Sequence, residues 1–147
     1  MKRIMFVGPV GVGKTSLICA LKGQGQIARK TQAIGFEGEM IDTPGEYTQI
    51  PRFYSALQVT ATEAAVVVLV QAAVTGLPMI PPGFVNIFHR PVIGVINKID
   101  LPQADPEWAM AQMRNAGVTQ QVFLVSAATG QGLAELYQHI REYGKQQ

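Results

Sequence analysis

The chain has 147 residues, a mass of 15.9 kDa, a formal net charge of +2 and 48% hydrophobic residues. This length and composition predict a single domain over residues 1–147 with a well-covered core, and they argue against intrinsic disorder. No basic run predicts nucleic-acid or membrane-surface binding, no apolar run is long enough to span a bilayer, and the single cysteine indicates a reducing, cytoplasmic setting.

Apolar runs that are typical of strands alternate with helical segments along the chain. The predicted strands are residues 4–7, 39–41, 65–70, 92–96 and 122–125, and the predicted helices are residues 15–22, 105–116 and 133–143. This alternation predicts an α/β fold with a mostly parallel central sheet and helices on both faces. Ligands of such sheets bind beyond the carboxyl ends of the strands, and each motif below follows a predicted strand.

Two segments predict irregular structure. Residues 24–35 are mostly small or polar and predict a mobile loop, whereas the prolines of residues 76–91 disfavour a long helix. Cys19 lies in the predicted helix at residues 15–22, among apolar neighbours. It is predicted to be a small buried residue rather than a reactive thiol.

The first predicted strand runs into a glycine-rich loop that opens a helix, as the phosphate-loop pattern requires. The loop reads Gly8, Pro9, Val10, Gly11, Val12, Gly13, Lys14, Thr15, Ser16. Backbone N–H groups of such a loop surround a β-phosphate, and the helix N-terminus adds partial positive charge. Lys14 is expected to bridge the β- and γ-phosphates, and the Thr15 hydroxyl is expected to bind Mg²⁺. The alternative is a tight glycine turn without a ligand.

An acid and a glycine follow the second predicted strand. The Asp42 carboxylate is placed to hold a water molecule of the Mg²⁺ shell, and the Gly45 N–H is placed to bond the γ-phosphate. Loss of that phosphate would release the loop. Taken alone, the same sequence is also typical of an ordinary turn.

A second loop, at residues 97–100, predicts which base is bound. The Asp100 carboxylate can accept hydrogen bonds from guanine N1–H and from the exocyclic amine, and adenine offers neither donor. Lys98 is expected to cover the base and Asn97 to brace the loop. Ser126, Ala127 and Ala128 would complete the pocket, with the Ala127 N–H directed at guanine O6. GTP or GDP with Mg²⁺ is therefore the predicted ligand, and a surface turn is the alternative.

In this order, the motifs resemble those of the small GTPases of the translation-factor-related class, from residue 1 to about residue 143. The resemblance implies a three-layer P-loop NTPase fold, the small G domain. It also implies roles for matching residues: phosphate binding by Gly8, Gly13, Lys14 and Thr15, magnesium contact by Thr15 and Asp42, and guanine contact by Asn97, Lys98, Asp100, Ser126 and Ala127.

A narrower resemblance is to the ethanolamine- and propanediol-utilisation family, EutP/PduV. Three segments carry this resemblance: Gly-Pro-x-Gly-x-Gly-Lys-Thr in the phosphate loop, Lys-Thr-Gln-Ala at residues 30–33, and Asp-Thr-Pro-Gly-Glu-Tyr at residues 42–47. The resemblance implies a bacterial protein that works beside a microcompartment, with a shell protein or a pathway enzyme as a partner.

The chain also departs from the usual GTPase pattern. Only eleven positions separate the candidate switch threonine, Thr31, from Asp42, which predicts a shortened switch hairpin, and residues 76–91 predict a shortened third helix. Thr31 is a candidate for Mg²⁺ binding and catalysis, or else an ordinary loop residue. Glu46 stands where many GTPases carry a glutamine that orients the attacking water, and it is expected to point away from the γ-phosphate.

Val10 crowds the side from which a partner's arginine would approach, which predicts slow hydrolysis, of order 10⁻⁴ to 10⁻³ s⁻¹. Arg29 is either an internal arginine for that role or a solvated charge. Three functions stay open: a slowly hydrolysing GTP-binding switch, a nucleotide-dependent phosphotransferase acting on acetate, and a shell-binding adaptor with little catalysis.

Overall fold

A parallel β-sheet carries the fold in the computed structural model, which describes residues 3–30 and 40–145. The strands are β1 (Arg3–Val7), β2 (Met40–Asp42), β3 (Ala64–Ala72), β4 (Val92–Asn97) and β5 (Val122–Leu124). Their order in the sheet is β2-β1-β3-β4-β5, and every pairing between them is parallel. The helices are α1 (Lys14–Lys30), α2 (Tyr54–Ala61), α3 (Pro106–Asn115) and α4 (Leu133–Lys145).

The two faces of the sheet bury alternate residues of each strand, because successive side chains of a strand point in opposite directions. On one face, Ile4 and Phe6 pack in a core with residues of α1 and α4. On the other face, Met5 and Val7 pack with residues of α2 and α3. Each fully buried aliphatic side chain contributes about 1.5–3 kcal/mol. The predicted three-layer α/β fold is therefore confirmed.

Helix α1 is longer than predicted. Residues 24–30, which the sequence predicts as part of a mobile loop, continue the helix to Lys30. Helix propagation explains the difference: burial of Leu17 and Leu21 in the core fixes the first turns, and each further residue then adds a hydrogen bond. A glycine inside such a helix costs only about 1 kcal/mol.

Cys19 is exposed on α1, so the prediction of a buried residue is wrong. Leu17, Ile18 and Leu21 face the core, and at 3.6 residues per turn position 19 lies on the opposite side of the helix.

The segment between β3 and β4 contains a short 3₁₀ helix, Phe84–Ile87, in place of a long α-helix. The prediction of a shortened helix in residues 76–91 is thereby confirmed; this segment precedes β4 and is not the helix labelled α3 here.

Helix α2, in contrast, was not predicted. The shortened switch hairpin and Thr31 lie outside the described residues, as does the side chain of Arg29. Within the described part of the chain, no helix has the length and apolar character needed to cross a bilayer.

Candidate functional site

Four loops meet at the carboxyl edge of the sheet. They follow β1, β2, β4 and β5, and they carry the predicted phosphate, magnesium and base motifs. Because all described strands are parallel, their carboxyl ends lie along one edge, and the motifs come together there although they are far apart in sequence.

The loop after β1 is shaped by glycines that have no room for a side chain. Gly13 has φ +86°, and a Cβ there would meet Asn97 Nδ2 at 2.5 Å. A Cβ on Gly8 would overlap the backbone carbonyl of Val70. The loop borders a cavity of about 250 Å³, lined by Pro9, Val10, Gly11, Gly13, Lys14, Thr15, Ser16 and Gly45. Its position at the start of α1 suits an anion such as phosphate.

The side chains of Lys14 and Thr15 both reach Asp42. Lys14 Nζ donates to Asp42 Oδ1 at 2.7 Å and to the Thr43 carbonyl oxygen at 2.6 Å. Thr15 Oγ1 donates to the other oxygen of the same carboxylate, Asp42 Oδ2, at 2.9 Å. Thr43 is itself fixed, because its hydroxyl donates to the Phe6 carbonyl oxygen at 2.8 Å. The loops after β1 and β2 are thus joined through one carboxylate.

The hydroxyl of Thr15 and the carboxylate of Asp42 are hard oxygen donors, which suit Mg²⁺. The described residues contain no cluster of three or more His, Cys, Asp and Glu side chains that could hold a metal by themselves. A site with few protein ligands is typical of Mg²⁺, which keeps several waters and binds phosphate oxygens as well. These two residues would therefore hold the ion together with a nucleotide.

A second cavity, of about 550 Å³, adjoins the first. It is lined by Gly11, Gly13, Ser16, Asn97, Lys98, Asp100, Ala127 and Ala128. Asn97 is 2% exposed and ties three loops together, since its Nδ2 donates to the Val12 carbonyl oxygen at 3.0 Å and its Oδ1 accepts from the Ala127 N–H at 3.0 Å. The size and chemistry of this cavity suit a nucleoside.

Lys98 adopts a left-handed backbone conformation, with φ +66°, which is uncommon for a residue other than glycine. Its Nζ donates to the Gly11 carbonyl oxygen at 2.8 Å, so the aliphatic stem runs along the cavity toward the phosphate loop. A strained residue at the wall of a cavity is typical of a functional site.

The structure differs from the sequence-based prediction at Ser126 and Ala127. The Ala127 N–H, which was expected to face guanine O6, donates instead to Asn97, because the carboxamide of Asn97 lies between the two loops. Ser126 is fully buried and donates to Asp100 Oδ1 at 2.8 Å, so it holds the Asp100 carboxylate and does not itself line the cavity.

Ala127 and Ala128, both predicted from the sequence to complete the pocket, line the second cavity. Sequence reasoning missed the Thr43 carbonyl oxygen, which accepts a hydrogen bond from Lys14 Nζ. A backbone carbonyl carries no side-chain signal, although its position beside a predicted motif was available from the sequence.

Val10 lines the first cavity, the one beside Lys14, and Glu46 does not. Glu46 is exposed, and that it points away from the γ-phosphate stays a prediction. Val10 is 55% exposed and packs against the backbone of Gly45, where an added Cβ would meet Val10 atoms at 2.8–3.0 Å. The phosphate loop and the loop after β2 therefore also touch through an apolar contact.

Comparisons with known proteins show the family and the fold of the chain. The profile of a family described as "Ethanolamine utilisation - propanediol utilisation" (PduV-EutP) matches residues 1–142. "Probable acetate kinase EutP" of Escherichia coli (strain K12) is 37% identical over 149 residues, covering 100% of this chain and 94% of that protein. "Propanediol utilization protein PduV" of Citrobacter freundii is 39% identical over 137 residues, covering 93% of this chain and 91% of that protein. The G-domain of FeoB from Methanococcus jannaschii has a TM-score of 0.64 at 22% identity, covering 99% of this chain and 100% of that one, which shows a shared fold.

Proposed function

The chain belongs to the ethanolamine-utilisation and propanediol-utilisation family, PduV-EutP, and from that premise we propose that it binds guanine nucleotides with Mg²⁺ and hydrolyses GTP slowly. One observation carries the proposal: the Asp100 carboxylate, held by the buried Ser126 hydroxyl, lines a cavity that continues into the phosphate loop. A fixed carboxylate at that place accepts the two donors of guanine and finds neither on adenine.

Nucleotide preference tests the proposal directly. GTP and GDP should bind at least about tenfold more tightly than ATP and ADP in the presence of Mg²⁺, since a charge-assisted pair contributes about 1.5–3 kcal/mol. Asp100→Asn should remove this preference and favour xanthine, because the asparagine amide can donate to the C2 carbonyl of xanthine while its oxygen accepts from N1–H.

Asp105→Asn is the matched control for this titration. Asp105 caps α3 by accepting from the Trp108 N–H, a role that asparagine fills equally well, so its guanine preference should stay that of the wild type. Equal competition of ATP and GTP for the wild-type protein would contradict the proposal.

The expected hydrolysis rate without a partner is of order 10⁻⁴ to 10⁻³ s⁻¹ in single-turnover measurements. Lys14 and Thr15 would position the phosphates and Mg²⁺, while Glu46, on the exposed side of the loop, supplies no described contact to the cavity. Thr31 keeps its proposed switch role in Mg²⁺ binding. Val10 lies beside Gly45. If the Gly45 N–H binds the γ-phosphate as proposed, the Val10 side chain would occupy the adjoining space, which supports slow turnover.

A second candidate function is phosphotransfer to acetate, which the name of the Escherichia coli relative favours. Among the described residues that line the cavity at the phosphate loop, Lys14 is the one with a positively charged side chain. Its Nζ already donates to Asp42 Oδ1 and to the Thr43 carbonyl oxygen. An acetate carboxylate therefore meets no second described cation there. Acetyl phosphate formed from acetate and GTP or ATP faster than phosphate is released would replace the GTPase proposal with this one.

We further propose that the protein acts in the cytoplasm beside a bacterial microcompartment, bound to a shell protein or a pathway enzyme. The family description supports the pathway. If the nucleotide controls this attachment, shell pull-down should be lost in Lys14→Ala; unchanged pull-down would favour an adaptor that does not depend on nucleotide.

A further inference from the structure

The ammonium group of Lys14 already has a negatively charged partner, and that partner belongs to the protein. Lys14 is 8% exposed, and its Nζ lies 2.7 Å from Asp42 Oδ1. A buried ammonium left without a counter-charge would carry a large desolvation cost. Asp42 therefore supplies in this arrangement what a phosphate group would otherwise supply.

The second oxygen of the same carboxylate, Asp42 Oδ2, accepts a hydrogen bond from the Thr15 hydroxyl at 2.9 Å. Asp42 thus engages, at once, both side chains of the phosphate loop that the proposed function assigns to phosphate and Mg²⁺. A nucleotide phosphate that approaches Lys14 must share or replace this partner, and it meets a like charge within the same few ångströms. The two anions compete for one cation.

A divalent cation changes this balance. Mg²⁺ prefers carboxylate and hydroxyl oxygens, and Asp42 and Thr15 present both at one place. An ion bound there would neutralise Asp42 and leave Lys14 free to bind phosphate. The Thr43 carbonyl oxygen, held by the Thr43–Phe6 hydrogen bond, would remain as a weaker neutral partner for the lysine.

We propose that Asp42 is an internal competitor of the nucleotide phosphates for Lys14, and that Mg²⁺ relieves this competition. The inference rests on the proposed function and deepens it: the requirement for Mg²⁺ in binding comes in part from the need to remove Asp42 from Lys14. One residue then both weakens binding without Mg²⁺ and strengthens binding with it.

The test compares GDP affinity with Mg²⁺ and with the ion chelated. In the chelated state Asp42→Asn should bind GDP about 3- to 10-fold more tightly than the wild type, because the carboxamide keeps the shape and removes the competing charge. With Mg²⁺ the order should reverse, because the variant has lost a ligand. The gain in affinity that Mg²⁺ gives should therefore be much smaller for the variant than for the wild type.

Asp105→Asn again serves as the matched control, since it is the same chemical change at an exposed aspartate that does not contact Lys14. An equal gain in GDP affinity for both variants would reduce the effect to net charge and overturn the proposal. Weaker or unchanged GDP binding by Asp42→Asn without Mg²⁺ would also overturn it. Failure of the wild type to bind GDP at all is a different result, and it removes the proposed function itself.

Thermal unfolding without nucleotide gives an independent measure. Asp42→Asn should unfold at a lower temperature than Asp105→Asn, because only the first leaves the buried Lys14 ammonium without its charged partner. Equal unfolding temperatures for the two variants would show that the ion pair is too weak to compete with a phosphate.

Discussion

Ser126 is fully buried, yet its hydroxyl donates to the exposed Asp100 carboxylate at 2.8 Å. The same oxygen accepts from the Thr129 N–H at 3.1 Å, which leaves its proton directed at Asp100. An exposed aspartate without such a partner samples several rotamers. The Ser126 hydroxyl therefore fixes the Asp100 carboxylate, and under the proposed function Ser126 would be a positioning residue for the base.

Replacing Ser126 with alanine should lower GDP affinity by about 3- to 10-fold, the effect of one hydrogen bond to a charged group. A merely structural role would weaken GDP and ADP equally, whereas a positioning role weakens GDP alone. Calorimetric titration of both nucleotides separates the two. Thr129→Ala keeps the backbone N–H that Ser126 accepts from and removes only the long, exposed hydrogen bond from the Gln131 N–H to Thr129 Oγ1, so it should leave the preference for GDP over ADP unchanged.

At the scale of elements, α1 shows two different uses of glycine. Gly13 precedes the helix with φ +86° and lies against Asn97, so an added Cβ is both strained and blocked. Gly23 lies inside the helix, where an added Cβ meets no atom within 4 Å. One position therefore requires glycine, and the other only tolerates it.

This contrast predicts opposite effects of the same substitution. Gly23→Ala should raise the free energy of unfolding by about 0.5–1 kcal/mol and the melting temperature by a few degrees, because alanine has the higher helix propensity. Gly13→Ala should lower both quantities and weaken nucleotide binding. Urea denaturation of the pair checks the prediction, and stabilisation by Gly13→Ala would contradict the geometry of the loop.

At the scale of the whole molecule, Asn97 at the end of β4 joins the loops that follow β1 and β5. One carboxamide makes both bonds, to Val12 and to Ala127, from a position that is 2% exposed. Asn97 therefore holds the loops after β1 and β5, which border the two cavities, in one relative position, in addition to its predicted place in the site.

Asn97→Ala should destabilise the protein by about 2–4 kcal/mol, because two buried hydrogen bonds disappear and the Val12 carbonyl and Ala127 N–H lose their partners. It should also weaken GDP binding. Asn86→Ala is the control, an exposed asparagine in the 3₁₀ helix after β3, whose loss should change stability by about 0.5 kcal/mol or less. Similar stabilities for the two variants would show that the loops are held by other contacts.

Helix α2 marks a limit of prediction from this sequence. Its eight residues, YSALQVTA, include the β-branched Val59 and Thr60, have no side-chain cap, and bury only Leu57 and Ala61. Local propensity for a helix is weak in such a segment. Packing of Leu57 and Ala61 against the sheet selects the helix, and that packing exists only once β1 and β3 are paired.

The amino-acid sequence by itself determined the strands, the phosphate loop and the order of the motifs, because buried runs, glycine conformations and strand-loop-helix connections depend on residues that are neighbours in the chain. Only the tertiary structure decided that α1 continues past residue 24, that Cys19 faces outward and that Lys14 is bound to Asp42. It also decided that Ser126 holds Asp100 and that Asn97 takes the Ala127 N–H. Each of these features depends on contacts between residues that are distant in sequence, or on which face of a helix is buried. Such contacts form only after the parallel sheet has brought the carboxyl ends of its strands to one edge.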